Sequence, residues 1–264
     1  MKVGLVLGGG GVRGLAHIGV IKVLKKHQIP IDLITGTSMG GAIGGLVAAG
    51  IDIEEIEDFV LKTPSYRIVD IGLGKGGLFG GNKIYMMLLE FFEQKGLGDL
   101  EIEQLHIPFR TVAVDLKKGK SVVFNQGSLR LAIRSTTSVP GFFAPVKHED
   151  KVLVDGGILN NLPTDIAREE GAEFVIAVDV ERAHEERAPR TMIDVLNRSL
   201  SIMMVEIRRH KLHFADLVIK PEIGHLQAFD ITKIKQCIMA GESAAEKALE
   251  NFGALYDNLK NMEM

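Results

Sequence analysis

Short apolar runs rich in Val and Ile alternate along the chain with segments whose apolar residues recur at helical spacing. Residues 2–7 (KVGLVL) and 31–35 (IDLIT) have the length and apolar character of buried strands. Residues 13–27 carry apolar side chains at positions 15, 18, 20, 21, 23 and 24, which predicts a helix with one wide apolar face. Further strands are predicted over 110–116, 121–125, 146–148, 152–154, 174–180 and 217–220. Further helices are predicted over 39–49, 53–62, 82–95, 128–136, 164–170 and 191–214, followed by two C-terminal helices.

The order of these elements predicts an α/β fold. Because strands alternate with helices, we expect a mostly parallel central sheet between two layers of helices, a three-layer α/β/α sandwich. Turn residues at 117–120 and 149–151 predict two short hairpins. No linker and no internal repeat interrupts the pattern, so we expect residues 1–264 to form a single domain, with the charged stretch 181–190 as a solvated loop.

Charge and cysteine content exclude several classes of protein. The formal net charge is −3, so no excess of positive charge is available to neutralise a nucleic acid. The single cysteine, Cys237, cannot form an internal disulfide, and no Cys/His spacing predicts a metal site. The apolar start is too short for a secretion signal, and residues 40–51 are too short for a membrane span of about 18 residues. We therefore expect a cytoplasmic protein without a bound metal.

Glycine is the unusual component of the composition. The chain has 30 glycines, of which 13 fall within the first 50 residues. Four of them, Gly8–Gly11, follow the first predicted strand, and Gly14 follows shortly after. The spacing matches the dinucleotide pattern G-x-G-x-x-G, but that site needs an acidic residue at the end of the second strand, whereas Asp32 begins it. Such a loop can also offer backbone N–H groups to an anion, which in acyl transfer is the tetrahedral oxyanion.

The segment Gly36-Thr37-Ser38-Met39-Gly40 matches the nucleophile elbow G-x-S-x-G. It lies between a predicted strand and a predicted helix, the context that this motif needs to project a serine above a sheet. Gly36 and Gly40 keep the tight turn free of clashes, and the Met39 N–H at the helix start is an expected oxyanion donor. The alternative is that Ser38 is an ordinary helix N-cap.

A serine nucleophile needs a base, and the residues alone leave the choice open. Of the eight histidines, His17 lies among apolar residues and is expected to be a core residue. Asp115, Asp155 and Asp179 end predicted strands, where open α/β sheets build their sites. Asp155 is followed by Gly156-Gly157, which leaves room for a neighbour; it could equally cap its own turn. A dry pocket would be needed to raise the pKa of an aspartate base.

Taken together and in order, these segments resemble the patatin-like phospholipase family. The loop GGGVRG (9–14), the elbow GTSMG (36–40) and DGG (155–157) are similar to its three signatures. Further similarity is found in RGLAHIGV (13–20), SVPGFFAPV (138–146) and NNLP (160–163). The resemblance covers residues 1–180, whereas 181–264, a predicted helical portion, match only loosely.

The resemblance implies a patatin-like fold and hydrolysis of lipid acyl esters without a cofactor. It implies a dyad in which Ser38 is the nucleophile and Asp155 the base. The loop Gly9-Gly10-Gly11 would supply oxyanion N–H groups, and Arg13 would hold the shape of that loop. The expected partner is a lipid or acyl-ester substrate, with peripheral contact to a membrane; substrate preference and oligomeric state stay open.

Three rival functions remain at this point. The first is a Ser-His-Asp α/β-hydrolase using a late histidine such as His210 or His225, the second is a dinucleotide-binding regulator or oxidoreductase, and the third is a non-catalytic family member that acts through partners. We also make predictions for three segments outside these motifs. The glycine-rich stretch 72–81, within the irregular segment 65–81, is a candidate lid, and Met86, Met87, Phe91 and Phe92 are either pocket lining or plain core. The basic cluster 208–211 is a solvated helix face or a contact for anionic lipids.

Overall fold

A computed structural model describes residues 1–63, 77–79, 90–91, 94–97, 99–180, 188–189, 191–223 and 233–253. The strands are β1 (Val3–Leu7), β2 (Leu33–Thr37), β3 (Gly77–Phe79), β4 (Phe109–Asp115), β5 (Lys120–Phe124), β6 (Gly141–Phe143), β7 (Val146–His148), β8 (Lys151–Asp155), β9 (Phe174–Val178) and β10 (Leu217–Ile219). The helices are α1 (Ala16–Lys26), α2 (Met39–Ala48), α3 (Ile53–Lys62), α4 (Leu129–Thr136), α5 (Gly157–Asn160), α6 (Thr164–Glu169), α7 (Met192–Leu212) and α8 (Ile234–Asn251). Short 3₁₀ turns cover Gly11–Leu15 and Ile102–Gln104.

The central sheet has the strand order β10-β9-β1-β2-β4-β8-β7, with β5 also paired to β4. From β10 to β4 all neighbours are parallel, whereas β5, β8 and β7 pair antiparallel with their neighbours. This arrangement confirms the mostly parallel sheet and both predicted hairpins. A separate parallel pair is formed by β3 and β6.

Side chains from one strand enter two different hydrophobic clusters, which shows that the sheet is covered on both faces. Along β1, Leu5 and Leu7 belong to the larger cluster, which also contains residues of α1, α2 and α8. Val6, between them, belongs to a second cluster with residues of α6 and β9. Because successive strand residues point to opposite faces, the two clusters lie on opposite sides of the sheet. The predicted three-layer α/β/α sandwich is confirmed.

The long helices α1 and α8 pack closely through two glycines. A Cβ at Gly19 of α1 would overlap the Ile238 carbonyl oxygen, and a Cβ at Gly241 of α8 would overlap the Ala16 carbonyl oxygen. The backbones can approach this closely only because neither residue has a side chain. This contact packs α8, in the C-terminal part of the chain, against α1, the helix that follows the glycine loop.

Several predictions fall partly or wholly outside the described residues. The candidate lid is described only at β3, whose backbone pairs with β6. In the predicted helix 82–95, Phe91 is buried and stacks on Phe59, which supports the core interpretation for that residue. Met86, Met87 and Phe92 lie outside the described residues, as does most of the loop 181–190. Of the two expected C-terminal helices, α8 is described. No helix in the described ranges is long and apolar enough to cross a membrane.

Candidate active site

Ser38 lies at a sharp turn between β2 and α2. Its backbone has φ 56° and ψ −127°, outside the regions that L-residues favour, which is the strained geometry of a nucleophile elbow. The Ser38 N–H donates to Thr136 Oγ1 at 2.9 Å, and Thr136 Oγ1 donates to the Val112 carbonyl at 2.6 Å. The Ser38 side chain makes no capping hydrogen bond to α2, so the ordinary N-cap interpretation does not hold.

The residues two positions before and two positions after Ser38 must be glycines for the turn to close. A Cβ at Gly36 would lie 2.6 Å from the Gly40 carbonyl oxygen. A Cβ at Gly40 would overlap the Leu7 carbonyl oxygen at the end of β1. These contacts agree with the prediction that Gly36 and Gly40 keep the turn free of clashes.

The strands that carry Ser38 and Asp155 meet end to end along one edge of β4. β2 runs parallel to β4 and ends where Thr37 pairs with Val112. β8 runs antiparallel to β4 and ends where Asp155 pairs with Ala113. β5 pairs with Thr111–Asp115 and so occupies the other edge of β4. β2 and β8 therefore point towards each other, and they end on the neighbouring β4 residues Val112 and Ala113.

Asp155 is the last residue of its strand, as predicted, and β8 runs antiparallel to β4. Asp155 is 4% exposed, and its N–H donates to the Ser138 carbonyl at 2.9 Å. Its Oδ1 accepts the Gly157 N–H at 2.8 Å, so it caps its own turn as the alternative predicted. Gly156 lies against β4, where a Cβ would overlap the Val112 carbonyl oxygen. A carboxylate has about four acceptor positions, so the cap leaves capacity for a second partner.

The first two N–H groups of the glycine loop are already bonded. Gly8 donates to the Val178 carbonyl at 3.1 Å, and Gly9 donates to the Asn161 carbonyl at 3.0 Å. The expectation for Gly9 is therefore corrected: it anchors the loop, and its N–H is not available to an oxyanion.

The remaining expected donors are available. The N–H groups of Gly10, Gly11 and Met39 have no hydrogen-bond partner within the described residues. Gly11 has φ 60°, a left-handed conformation that favours glycine. Met39 is the first residue of α2, where unpaired N–H groups and the helix dipole favour negative charge.

The buried side chains of Arg13 and His17 form hydrogen bonds to backbone carbonyls of the glycine loop. Arg13 is 6% exposed and its Nε donates to the Gly10 carbonyl at 3.4 Å, consistent with its expected role in shaping the loop. His17 is fully buried, and its Nε2 lies 2.7 Å from the Gly8 carbonyl oxygen. Burial lowers the pKa of His17 from 6.5 to about 4, against the opposing effect of this hydrogen bond. His17 is therefore a neutral imidazole that donates Nε2–H to Gly8, which confirms it as a hydrogen-bonded core histidine.

The other candidate bases are engaged elsewhere. Asp115 accepts the backbone N–H groups of Lys117 and Val152, both at 3.1 Å. Asp179 accepts a short hydrogen bond from Arg208 of α7. His210, one of the late histidines that a Ser-His-Asp triad would need, is exposed at the end of α7, and His225 lies outside the described residues.

The dinucleotide alternative also lacks its acidic residue. Asp32 lies at the start of β2, where its Oδ2 accepts the Val3 N–H at 2.7 Å. It is thus at the opposite end of the strand from Ser38. Among the residues that the structure describes, no group of three His, Cys, Asp or Glu side chains could hold a metal ion.

Sequence reasoning missed two residues that connect the parts of the site. Thr136 bonds to both Ser38 and β4, and no local signal marks it. Asn161 binds Gly9, and its only signal was the family resemblance of NNLP (160–163). Asn161 is 3% exposed and contacts the turn after Asp155.

Comparison with known proteins gives the same family. The family described as "Patatin-like phospholipase" matches residues 5–168. An uncharacterized NTE family protein of Mycobacterium bovis is 36% identical over 207 residues, covering 75% of this chain and 55% of that protein. Human patatin-like phospholipase domain-containing protein 6 is 32% identical over 234 residues, covering 86% of this chain and 16% of that protein. The chain thus spans about half or less of the length of these relatives.

A solved structure supports the fold. The crystal structure of VipD from Legionella pneumophila superposes with a TM-score of 0.63 at 15% identity, covering 95% of this chain and 67% of that one. At this identity the likeness concerns the fold alone. The family match covers more than half of the chain and includes the glycine loop, the elbow and the turn after β8. The chain belongs to the patatin-like phospholipase family.

Proposed function

We propose that the protein is a serine acyl hydrolase that cleaves carboxylic esters of lipids through Ser38 and Asp155. The observation that supports the proposal is that β2 and β8 end on neighbouring residues of β4, β2 just before the strained Ser38 and β8 at the buried Asp155. Family membership supports a lipid as the substrate class. One relative, from Drosophila melanogaster, is named neuropathy target esterase, which supports ester cleavage as the reaction.

The reaction begins when Asp155 accepts the hydroxyl proton of Ser38 as Oγ attacks the ester carbonyl carbon. The carbonyl oxygen becomes an oxyanion, to which the N–H groups of Gly10, Gly11 and Met39 donate. The ester C–O bond then breaks, Asp155 returns the proton to the leaving alcohol, and Ser38 retains the acyl group. Water then attacks the acyl-enzyme as Asp155 accepts one of its protons. The bond between the acyl carbon and Ser38 Oγ breaks, Asp155 returns the proton to Oγ, and the fatty acid is released. Every step uses groups of this chain, without a metal or an organic cofactor.

The proposed contact with a membrane surface rests on apolar side chains rather than on the basic cluster 208–211. Arg208 is 7% exposed and bonds to Asp179, and Lys211 pairs with Asp165, so neither presents a free charge to anionic lipids. The N-terminal part of α7 exposes apolar side chains at Met192, Val195, Leu196, Leu200, Ile202 and Met203. On the same helix, Met204 lies against Gly157, next to Asp155.

We propose that this exposed apolar surface of α7 contacts the acyl region of a lipid aggregate. The double substitution Leu196→Ser and Met203→Ser should lower turnover of phospholipid vesicles while leaving turnover of a soluble short-chain ester unchanged. Leu116→Ser, on an exposed residue of the β4–β5 turn, is the control. Equal vesicle turnover by wild type and the double variant contradicts the membrane contact but not the esterase function.

Labelling with a fluorophosphonate, read out by mass spectrometry, tests the nucleophile. We expect modification at Ser38 and none in Ser38→Ala. Turnover of a p-nitrophenyl ester should fall by about 10⁴-fold or more in Ser38→Ala and in Asp155→Asn. Ser121→Ala, on an exposed residue of β5, is the matched control. Near-normal turnover in either folded dyad variant would falsify the dyad.

A further inference from the structure

Asn161 binds the backbone of the glycine loop at two points. Its Nδ2 donates to the Gly9 carbonyl at 3.2 Å, and its own carbonyl accepts the Gly9 N–H at 3.0 Å. Both backbone polar groups of Gly9 are thus bonded to one residue, which lies 152 positions further along the chain. The loop cannot rotate about Gly9 without breaking these bonds.

The side-chain amide of Asn161 also contacts the turn that carries Asp155. A carbonyl oxygen only accepts hydrogen bonds, so the amide nitrogen must face Gly9. The amide oxygen, Oδ1, then lies between the two glycines. A Cβ at Gly157 would be 2.8 Å from Asn161 Oδ1 and 3.1 Å from Asp155 Oδ1. A Cβ at Gly9 would overlap Asn161 Oδ1 and lie 3.1 Å from Ser38 Cβ.

The amide therefore occupies a buried position between the proposed base, the nucleophile and the oxyanion loop. Two of the three N–H groups proposed to bind the oxyanion, those of Gly10 and Gly11, follow directly after Gly9. Their direction depends on how Gly9 is held, because the loop is otherwise composed of glycines with little conformational preference.

We propose that Asn161 is a positioning residue that fixes the oxyanion loop in register with the turn after Asp155. This inference rests on the proposed function. An interaction that only orients oxyanion donors stabilises the transition state rather than the bound ester, so its loss lowers kcat and leaves KM unchanged.

The test compares Asn161→Ala with Asn160→Ala. Asn160 is the preceding residue, is 5% exposed, and donates its amide to Asp165 at 2.9 Å. Its substitution removes the same chemical group from an equally buried site without removing a bond to the loop. Both variants are assayed on a soluble p-nitrophenyl ester. Each kcat is calculated from the concentration of active sites, which is measured by labelling with fluorophosphonate to completion. A lower yield of folded protein therefore does not change the value of kcat.

We expect Asn161→Ala to lower kcat by about 10- to 100-fold, with KM within about twofold of wild type, because misplaced donors cost rate in the chemical step. Asn160→Ala should keep the wild-type kcat. In Asn161→Asp, the new carboxylate lies beside Asp155 and opposes its ionisation, which raises the pKa of Asp155. The acidic limb of the kcat/KM profile should therefore move to higher pH.

The outcomes separate this inference from the function on which it rests. If wild-type protein neither hydrolyses the ester nor is labelled at Ser38, both the proposed function and the positioning role of Asn161 are wrong. Active wild-type protein with an unchanged kcat in Asn161→Ala, or an equal loss in Asn160→Ala, removes the positioning role alone. An unmoved acidic limb in Asn161→Asp also overturns it.

Discussion

Replacing His17 by Gln is expected to remove a specific loss of stability in acid. Burial lowers the pKa of His17 to about 4, whereas an unfolded histidine has a pKa near 6.5. Between these values the unfolded chain binds a proton at this residue and the folded protein does not. The free energy of unfolding therefore falls as the pH drops from 6.5 towards 4.

The size of the effect follows from the two pKa values. Relative to pH 7, His17 should cost the folded protein about 2 kcal/mol at pH 5 and about 3 kcal/mol at pH 4. In His17→Gln the amide nitrogen can still donate to the Gly8 carbonyl, but nothing titrates at that position. The variant should therefore lose less stability than wild type over the same pH range.

The assay is urea denaturation of wild type and His17→Gln at pH 7, 6, 5 and 4, with the difference in unfolding free energy plotted against pH. His213→Gln, which changes an exposed histidine, is the control. Parallel pH dependence of wild type and His17→Gln would show that the buried imidazole takes up its proton as easily as an unfolded one. The assignment of a neutral His17 beneath the glycine loop would then be wrong.

Three further substitutions test the packing and charge arrangement. Gly241→Ala should lower the unfolding free energy by about 1–3 kcal/mol in thermal denaturation, because the new Cβ would overlap the Ala16 carbonyl of α1; an unchanged midpoint contradicts the close helix contact. Asp52→Ala removes the N-cap of α3 and should cost about 1 kcal/mol, whereas Asp52→Asn should keep most of it; equal losses would assign the effect to charge. Arg208→Met removes the buried charge partner of Asp179 and should cost about 3–5 kcal/mol, part of which a second change, Asp179→Asn, should restore; strictly additive losses would exclude coupling between the two.

The local parts of the site could be predicted from the sequence. The strand–turn–helix context of Ser38 and the consecutive glycines after β1 are visible within short windows, and the strained φ of Ser38 and the close approach at Gly40 agree with them. The alternation of strands and helices was also sufficient for the three-layer architecture.

The relations between distant segments could not be predicted in this way. The direction of β8 depends on its pairing with β4, and register between strands far apart in sequence leaves no local pattern. The engagement of the Gly9 N–H depends on Asn161, which is equally remote. The sequence motif therefore marks four glycines without distinguishing Gly8 and Gly9, whose N–H groups are bonded, from Gly10 and Gly11, whose N–H groups have no partner in the described part of the chain.

The end-to-end meeting of β2 and β8 also determines when the site can first exist. Ser38 and Asp155 stand more than a hundred residues apart in the sequence, and the segment that binds Gly9 follows later still. The chain is synthesised from its N-terminus, and a domain generally folds as a unit. A chain synthesised as far as β5 contains Ser38 and the glycine loop but lacks Asp155. The proposed chemistry needs both residues, so it can begin only when the long-range sheet is complete.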